Sequence, residues 1–336
     1  MLKQLLDQGK NFNPSYGKAK FSNHLPMALI ALHKLGASNK QLSRFYETYS
    51  KKLEPISHKD VHTPFHLSNW KNTLGISDYY SDYFIFFKET IQAIGIQSTL
   101  KQFLPHLIDG LATQAFHCLI RLAYSVEIND KEEVARALAY FASEYVILEK
   151  LQNVTSSAKS PDIILEKIHQ SKALCDKKFK HPTLIERMQK ASSLHDFAFV
   201  NQDLASTDFS LEQCANTVIK LYATTGDFAV LHMVTALHAL RILFPYLQST
   251  HVVMRYYWQA VCAAYVSIGA PSFPKSSDVL MNAEQLYTWP EIFSHAADSL
   301  DDHLIKLIYT CHEEALFYQD TLYQKVASKR VLDQLS

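Results

Sequence analysis

Glycine is scarce in this sequence, with eight residues in 336, and little material is left for the tight turns of a β-sheet protein. No Asn-Gly or Asp-Gly pair joins two runs of alternating apolar and polar residues. The glycine-rich motifs GxGxxG, GxxxxGK[ST] and GxSxG are also absent. These absences argue against a β-rich fold, a Rossmann or P-loop nucleotide site and a hydrolase of the GxSxG type.

An excess of charge of either sign is also lacking, since Lys plus Arg and Asp plus Glu each number 33. A neutral chain has no surplus of cations to neutralise phosphates or anionic lipid headgroups. Nucleic acid and membrane surfaces are therefore not expected as partners.

Long apolar runs and paired cysteines are missing as well. No run reaches the roughly eighteen apolar residues that a membrane span requires, and the first residues lack the apolar centre of a signal peptide. The five cysteines are an odd number without a CxxC motif, so neither a disulfide framework nor a zinc ribbon is indicated. We expect a soluble, cytoplasmic protein.

Apolar residues recur at helical spacing along most of the chain, as in 25–36 and 131–152. The pattern predicts an all-α fold: a single large helical domain over residues 1–336, built around a central histidine-lined pocket, with a weak boundary near 152–162. Loops are predicted at 50–64 and 270–278. Further helices are predicted around 76–93, 109–127, 161–178, 210–224, 228–248, 251–268 and 301–326.

Histidine is the one residue type in excess, with sixteen in the chain. Four lie in otherwise apolar helical stretches: His24, His117, His232 and His303. A single histidine of this kind is ordinarily a core residue, but helical bundles build metal sites from side chains on separate helices. Their imidazoles need hydrogen-bond partners to fix their orientation, and the nearest candidates in sequence are Asp302, Glu127, Asp227 and Thr235. His238 follows His232 by six residues, on another part of the helix, and is not counted as a ligand.

The stretches NHLPMALIALHKLGA, AFHCLIRLAYSVE, LHMVTALHALR and DDHLIKLIYT together resemble the questin oxidase-like family, in the same order and from about residue 20 to about residue 325. The resemblance implies a helical oxygenase acting on polycyclic aromatic or quinone-like substrates, by Baeyer–Villiger-type oxygen insertion or ring cleavage. Carried over by position, it implies a site formed by His24, His117, His232, His303 and Lys306.

Four neutral imidazoles suit iron, copper, nickel or zinc, and iron is expected for an oxygenase. A buried dication also needs an anionic ligand, and it would repel an ammonium at Lys306. Lys306 is therefore a carbamate formed with carbon dioxide, a neutral acid–base group, or a residue that extends to water or pairs with Asp302. Because no nicotinamide or flavin motif is present, electrons come from the substrate or an external reductant.

Other histidines allow other hypotheses. His195 and Asp196, with His181 nearby, suggest a helical His/Asp metal phosphohydrolase, whereas scattered histidines without a site would fit a non-catalytic interaction module. A third group, His58, His62 and His66, recurs every four residues, but Pro64 interrupts any helix that would align it. That segment is a second metal cluster, a substrate-gating loop or neither.

Overall fold

The computed structural model describes residues 1–56, 65–66, 68–149, 151, 160–204, 208–273 and 286–335. The all-α prediction is confirmed, because the only sheet in these residues pairs two short strands, β1 (Ser15–Tyr16) and β2 (Phe21–Ser22). The described residues form fifteen α-helices: α1 (Leu2–Gly9), α2 (Leu25–Lys34), α3 (Asn39–Tyr49), α4 (Tyr80–Phe103), α5 (His117–Glu127), α6 (Lys131–Ser143), α7 (Pro161–Gln170), α8 (Leu184–Ser192), α9 (Ala198–Leu204), α10 (Leu211–Thr225), α11 (Phe228–Leu243), α12 (Thr250–Ser267), α13 (Trp289–Asp298), α14 (Asp302–Tyr318) and α15 (Leu322–Leu335).

Several predicted helices end earlier or begin later than the apolar pattern indicated. The helix predicted at 301–326 is two helices, because Gln319 adopts a left-handed conformation with φ 54° between α14 and α15. The one predicted at 109–127 begins only at His117, since Gln114 to Phe116 all have positive φ. Two further predicted helices stop early, at Ser143 and at Gln170. Helices α1, α3, α8, α9 and α13 were not predicted.

Some predicted features lie outside the described residues. They include most of the loop after Ile56, residues 152–159 of the candidate boundary and the loop from 274 onward. The chain divides into two compact units by its contacts, and the prediction of a single domain with a central pocket stays a prediction.

The first unit comprises residues 1–57, 218–238 and 274–336. Helix α2 is its centre: residues 25–32 are all buried, as expected for a helix that is apolar on every side. Helix α14 packs against α2, α13 and α15. This packing places the beginning of α14 beside the beginning of α2, and side chains at the two helix starts come together.

The second unit comprises residues 58–217 and 239–273. In it α4 packs on α6, α6 on α5, and α12 on α7, α8 and α9. An ion pair between Arg121 and Glu133, 3.1 Å apart and buried, joins α5 to α6. Trp70, Phe86, Phe87 and Phe103 form an aromatic cluster beside α4, with ring centroids 5.1–6.5 Å apart.

One described segment, residues 228–246, is long and apolar enough to cross a membrane. Within the protein, 72% of the most apolar part of this segment is buried, which is typical of a core helix in a soluble protein. A cytoplasmic location stays a prediction.

Candidate active site

Three of the histidines named above lie in the first unit, close to the starts of helices. His24 directly precedes α2, with Pro26 in the first turn of that helix. His303 is the second residue of α14, where the Asp301 carboxylate accepts the backbone N–H groups of His303 at 2.9 Å and Leu304 at 3.2 Å. His232 lies one turn into α11. Helix packing thus places residues that are distant in sequence at one point.

The three imidazoles are neighbours. The ring centroids of His24 and His303 are 4.8 Å apart, and those of His232 and His303 are 5.2 Å apart. His24 and His232 are buried, and His303 is partly exposed. Such a concentration of imidazoles inside a helical unit is not needed for packing, which apolar side chains achieve without polar atoms to satisfy.

The ring nitrogens of these histidines have defined roles. His24 Nδ1 is hydrogen-bonded to the Asp302 carboxylate, and His232 Nδ1 donates to the Phe228 carbonyl oxygen at 2.7 Å. Because carboxylate and carbonyl oxygens only accept, both rings carry their proton on Nδ1, and Nε2 keeps its lone pair. Metal-ligating histidines are commonly held in this way. His303 Nε2 is buried and has no hydrogen-bond partner among the described residues.

Lys306 lies one turn after His303 and extends into the same cluster. Only 1% of the residue is exposed, and its Nζ is 3.1 Å from His24 Nδ1 and 3.7 Å from Asp302 Oδ2. An ammonium cannot accept a hydrogen bond from the Nδ1–H of His24, whereas a neutral amine can. Lys306 therefore lies beside the hydrogen-bonded pair of His24 and Asp302. A neutral amine favours the contact with His24, and an ammonium favours the contact with Asp302.

The electrostatics of the cluster keep its imidazoles neutral. Burial, followed by the charge of Lys306, lowers the pKa of His24 to about 4 and that of His232 to about 3. The same causes place the pKa of His303 well below its usual value. Neutral imidazoles at pH 7 have lone pairs available for a metal or a proton.

Burial also lowers the pKa of Lys306 to about 8, although the nearby carboxylates of Asp302 and Asp301 oppose the shift. Burial of Asp302 acts to raise its pKa, but the hydrogen bond from His24 and the charge of Lys306 more than offset this, and the pKa lies well below its usual value. Asp302 is thus an ionised carboxylate and Lys306 an amine that can gain or lose a proton near neutral pH.

A second layer of residues surrounds the cluster. The Tyr49 hydroxyl accepts the backbone N–H of His24 at 3.0 Å, and Lys52 Nζ lies 3.6 Å above the Tyr49 ring and 4.0 Å from Asp302. Arg330 of α15 binds the Asp301 carboxylate at 2.8 Å. Tyr49 and Lys52 were not predicted as site residues, since they are some 250 residues from Asp302 and nothing in the sequence links them. The hydrogen bond between His232 and the Phe228 carbonyl could be expected from the sequence only through the four-residue spacing of these two residues in a helix.

The fourth histidine, His117, belongs to the second unit. It is buried at the start of α5, directly after Phe116, whose φ is 71°. Its Nδ1 is hydrogen-bonded to the Gln114 carbonyl, so it is held in the same manner as His232. Whether it joins the other three histidines stays a prediction.

The other candidates have different environments. His238 is buried against Glu314, with Nδ1 and Oε1 2.5 Å apart. Asp227 and Thr235 bond to backbone groups of α11 rather than to imidazoles, and Glu127 ends α5 in the second unit. His195 and Asp196 are exposed in a single 3₁₀ turn, so the helical phosphohydrolase is not favoured. His66 is exposed, and His58 and His62 lie outside the described residues.

The donor set of the first unit fits a divalent transition metal. The ligand atoms of His24 and His303 lie within 4.8 Å of each other, and those of Asp301, Asp302 and His303 form a similar group. Imidazole nitrogens suit iron, copper, nickel or zinc, and Asp302 provides the negative charge that the three imidazoles lack. Lys306 fits only if it is uncharged or modified. The same atoms also form a general base without a metal: the Nε2 of His24, supported by Asp302.

Comparison with known proteins bears on the same part of the chain. A family model described as questin oxidase-like matches residues 21–311, which include all three clustered histidines and Lys306. A curated relative, questin oxidase of Aspergillus terreus, is 22% identical over an alignment of 333 residues that covers 85% of this chain and 73% of the relative.

Proposed function

The chain belongs to the questin oxidase-like family and is an oxidoreductase, and from this premise we propose that it is an oxygenase acting on a polycyclic aromatic or quinone-like small molecule. The proposed reaction is oxygen insertion of the Baeyer–Villiger type or ring cleavage. The buried cluster of His24, His232 and His303 with Asp302 and Lys306 is the observation that carries this proposal. Membership of an oxidase family also argues against a non-catalytic interaction module.

The residues of the cluster have separate proposed roles. Without a bound metal, the Nε2 of His24 takes the proton of an aromatic hydroxyl, which makes the ring electron-rich, and Asp302 stabilises the imidazolium that results. With a metal bound, Nε2 would be a ligand instead, and Asp302 would hold the Nδ1–H of His24. Lys306, with a pKa near neutrality, returns a proton to the product or acts as a carbamylated ligand. Insertion of one oxygen atom of O₂ sends the other to water, which takes two electrons and two protons. The electrons come from the substrate or from an external reductant.

We further propose that His24, His117, His232 and His303 hold a transition metal, with iron as the first choice. Bound iron would supply the one-electron chemistry that reaction with dioxygen requires. The chain's contribution is to hold the Nδ1–H of His24 on a carboxylate and that of His232 on a carbonyl, which places the lone pair of each ring on Nε2, and to bury both imidazoles.

Elemental analysis of protein purified without added metal tests the metal. We expect roughly one transition-metal ion per chain. His232→Ala should lose most of the metal. His33→Ala, at an exposed histidine at the end of α2, is the matched control and should keep it. If the wild-type protein neither contained nor took up a metal, the proposed metal site would be excluded and only the general-base roles would remain.

The reaction class has its own test. Purified protein is incubated with 1,8-dihydroxyanthraquinone in air, with and without a reductant, and the products are analysed by mass spectrometry with labelled O₂. Incorporation of label by the wild type and its loss in His24→Ala would support the proposal. Unlabelled or unchanged substrate, also across a panel of related hydroxylated quinones, would contradict it.

A further inference from the structure

Phe228, the first residue of α11, is a large apolar side chain in an unexpected place. It is 50% exposed, although residues 229–238 after it are buried. Exposing a phenyl ring forgoes the stability that its burial would give. Its position beside a buried polar cluster therefore calls for an explanation other than packing.

The ring of Phe228 lies against two imidazoles of the candidate site. Its centroid is 4.5 Å from that of His232 and 4.7 Å from that of His303, with interplanar angles of 60° and 55°. The backbone carbonyl of the same residue holds the Nδ1–H of His232. One part of the phenyl surface thus contacts the histidines, and about half of it remains open to solvent.

Local structure fixes this position. Gly226 adopts φ 58° in the turn before α11, and the Asp227 carboxylate accepts the backbone N–H of Ala229 at 2.6 Å. The turn and the cap define where the helix begins, so Phe228 is not at a frayed end. An aromatic ring held in this way loses little conformational entropy when a second ring stacks on it.

We propose that Phe228 is the platform on which the substrate stacks, and that it makes the site selective for planar fused aromatic rings. The proposal rests on the proposed function. Aromatic rings stack face to face with an offset, and a ring placed over the open face of Phe228 lies at the edge of the histidine cluster. A hydroxyl on that ring is then near the histidine cluster, which includes the proposed base His24. A saturated molecule of the same size gains apolar contact but no stacking.

Binding of 1,8-dihydroxyanthraquinone, measured by calorimetry on metal-containing protein under nitrogen, tests the platform without turnover. Phe228→Leu keeps an apolar side chain and removes the ring, and roughly three- to tenfold weaker binding is expected. Phe228→Trp restores a ring and should bind as tightly as the wild type. Phe317→Leu is the matched control, since Phe317 is 56% exposed near the far end of α14 in the same unit. It should bind like the wild type.

The outcomes separate this proposal from the function on which it rests. Equal binding by wild type and Phe228→Leu would overturn the platform and leave the oxygenase proposal intact. A wild type that binds no fused aromatic quinone would overturn both. If Phe228→Leu also loses metal, Phe228→Trp decides: restored binding supports the platform, and weak binding with normal metal content overturns it.

Discussion

Replacing Asp302 with Asn tests the electrostatics of the candidate site, because it removes one charge and keeps the shape of the side chain. In the wild type the carboxylate is hydrogen-bonded to His24 Nδ1 and lies 3.7 Å from Lys306 Nζ. The amide oxygen of Asn can still accept the hydrogen bond from His24. The substitution therefore removes the charge of Asp302 and keeps its hydrogen bond to His24. Lys306 is the buried cation that loses a counter-ion, whereas Lys52, 4.0 Å from Asp302, is exposed to solvent.

The size of the effect depends on how Lys306 responds. A buried ammonium that loses its counter-ion costs about 3–5 kcal/mol. Releasing the proton costs only about 1.4 kcal/mol at pH 7, because the pKa of Lys306 is about 8 and one pKa unit corresponds to ~1.4 kcal/mol. Deprotonation of Lys306 therefore costs less than leaving its ammonium unpaired. The Asn amide adds no cost of its own, because burying an amide is no harder than burying a carboxylate. We expect Asp302→Asn to lower the free energy of unfolding by about 1–2 kcal/mol.

The pH dependence of the unfolding free energy distinguishes deprotonation of Lys306 from an unpaired ammonium. Burial holds the folded pKa of Lys306 below its unfolded value of 10.5, so the unfolded state binds more protons and stability falls as pH falls below 10.5. In the wild type this loss ends near pH 8, where the folded amine takes up its proton. Without Asp302 the folded pKa is lower still, and the loss continues below pH 8. The stability difference between variant and wild type should therefore widen as pH falls below 8 and narrow above it.

Urea unfolding of chelator-treated protein at several pH values measures this difference. Asp298→Asn is the control, because Asp298 is an exposed carboxylate in α13 of the same unit; it should change stability by less than about 0.5 kcal/mol. A loss above about 3 kcal/mol at pH 7 that stays constant up to pH 9 would refute the deprotonation of Lys306.

Three further predictions concern the first unit. Lys306→Ala should lower metal occupancy or activity more than Lys306→Glu, because a carboxylate partly replaces a carbamate; equal losses, measured by elemental analysis and turnover, would argue against the carbamate. Glu314→Ala should cost about 1–3 kcal/mol in urea unfolding by removing the buried carboxylate that is hydrogen-bonded to His238, whereas the double replacement of His238 and Glu314 by Leu should cost less. Metal-free protein should lose stability as pH falls from 6.5 towards 4, because the folded pKa of His24 is about 4 and that of His232 about 3. His24→Asn should make this loss of stability shallower. If the dependence of unfolding free energy on pH were the same in His24→Asn and wild type, the burial of a neutral His24 would be contradicted.

The fold class could be predicted from the sequence because helical periodicity and scarce glycine describe the whole chain. The helix ends could not be predicted, since the end of α14 at Gln319 and the start of α5 at His117 depend on residues other than glycine in the left-handed conformation. Three of the missed helices had a readable signal: α8 and α13 begin with Thr-x-x-Glu capping boxes, at Thr183 and Thr288, and α3 begins with a Ser-x-x-Gln box at Ser38.

The site was predictable only in part. Apolar helical contexts singled out His24, His232 and His303, and the family resemblance added Lys306. Asp302 was expected as a hydrogen-bond partner of an imidazole or as a partner of Lys306, and it has both contacts, with His24 and with Lys306. Tyr49 was missed because its contact with His24 depends on how α3 packs, which no local pattern encodes.

The first unit is assembled from three separate stretches of the chain, and this has a consequence for its synthesis. Helix α2, buried along residues 25–32, is covered by α14, which begins at Asp302. At 5–20 residues per second, roughly 15–50 s pass on the ribosome between the two helices. During that interval α2 lacks its partner, whereas the second unit is already complete by residue 273. The histidine cluster can therefore form only after α14 has been synthesised, and α2 is the segment that a chaperone is expected to bind until then.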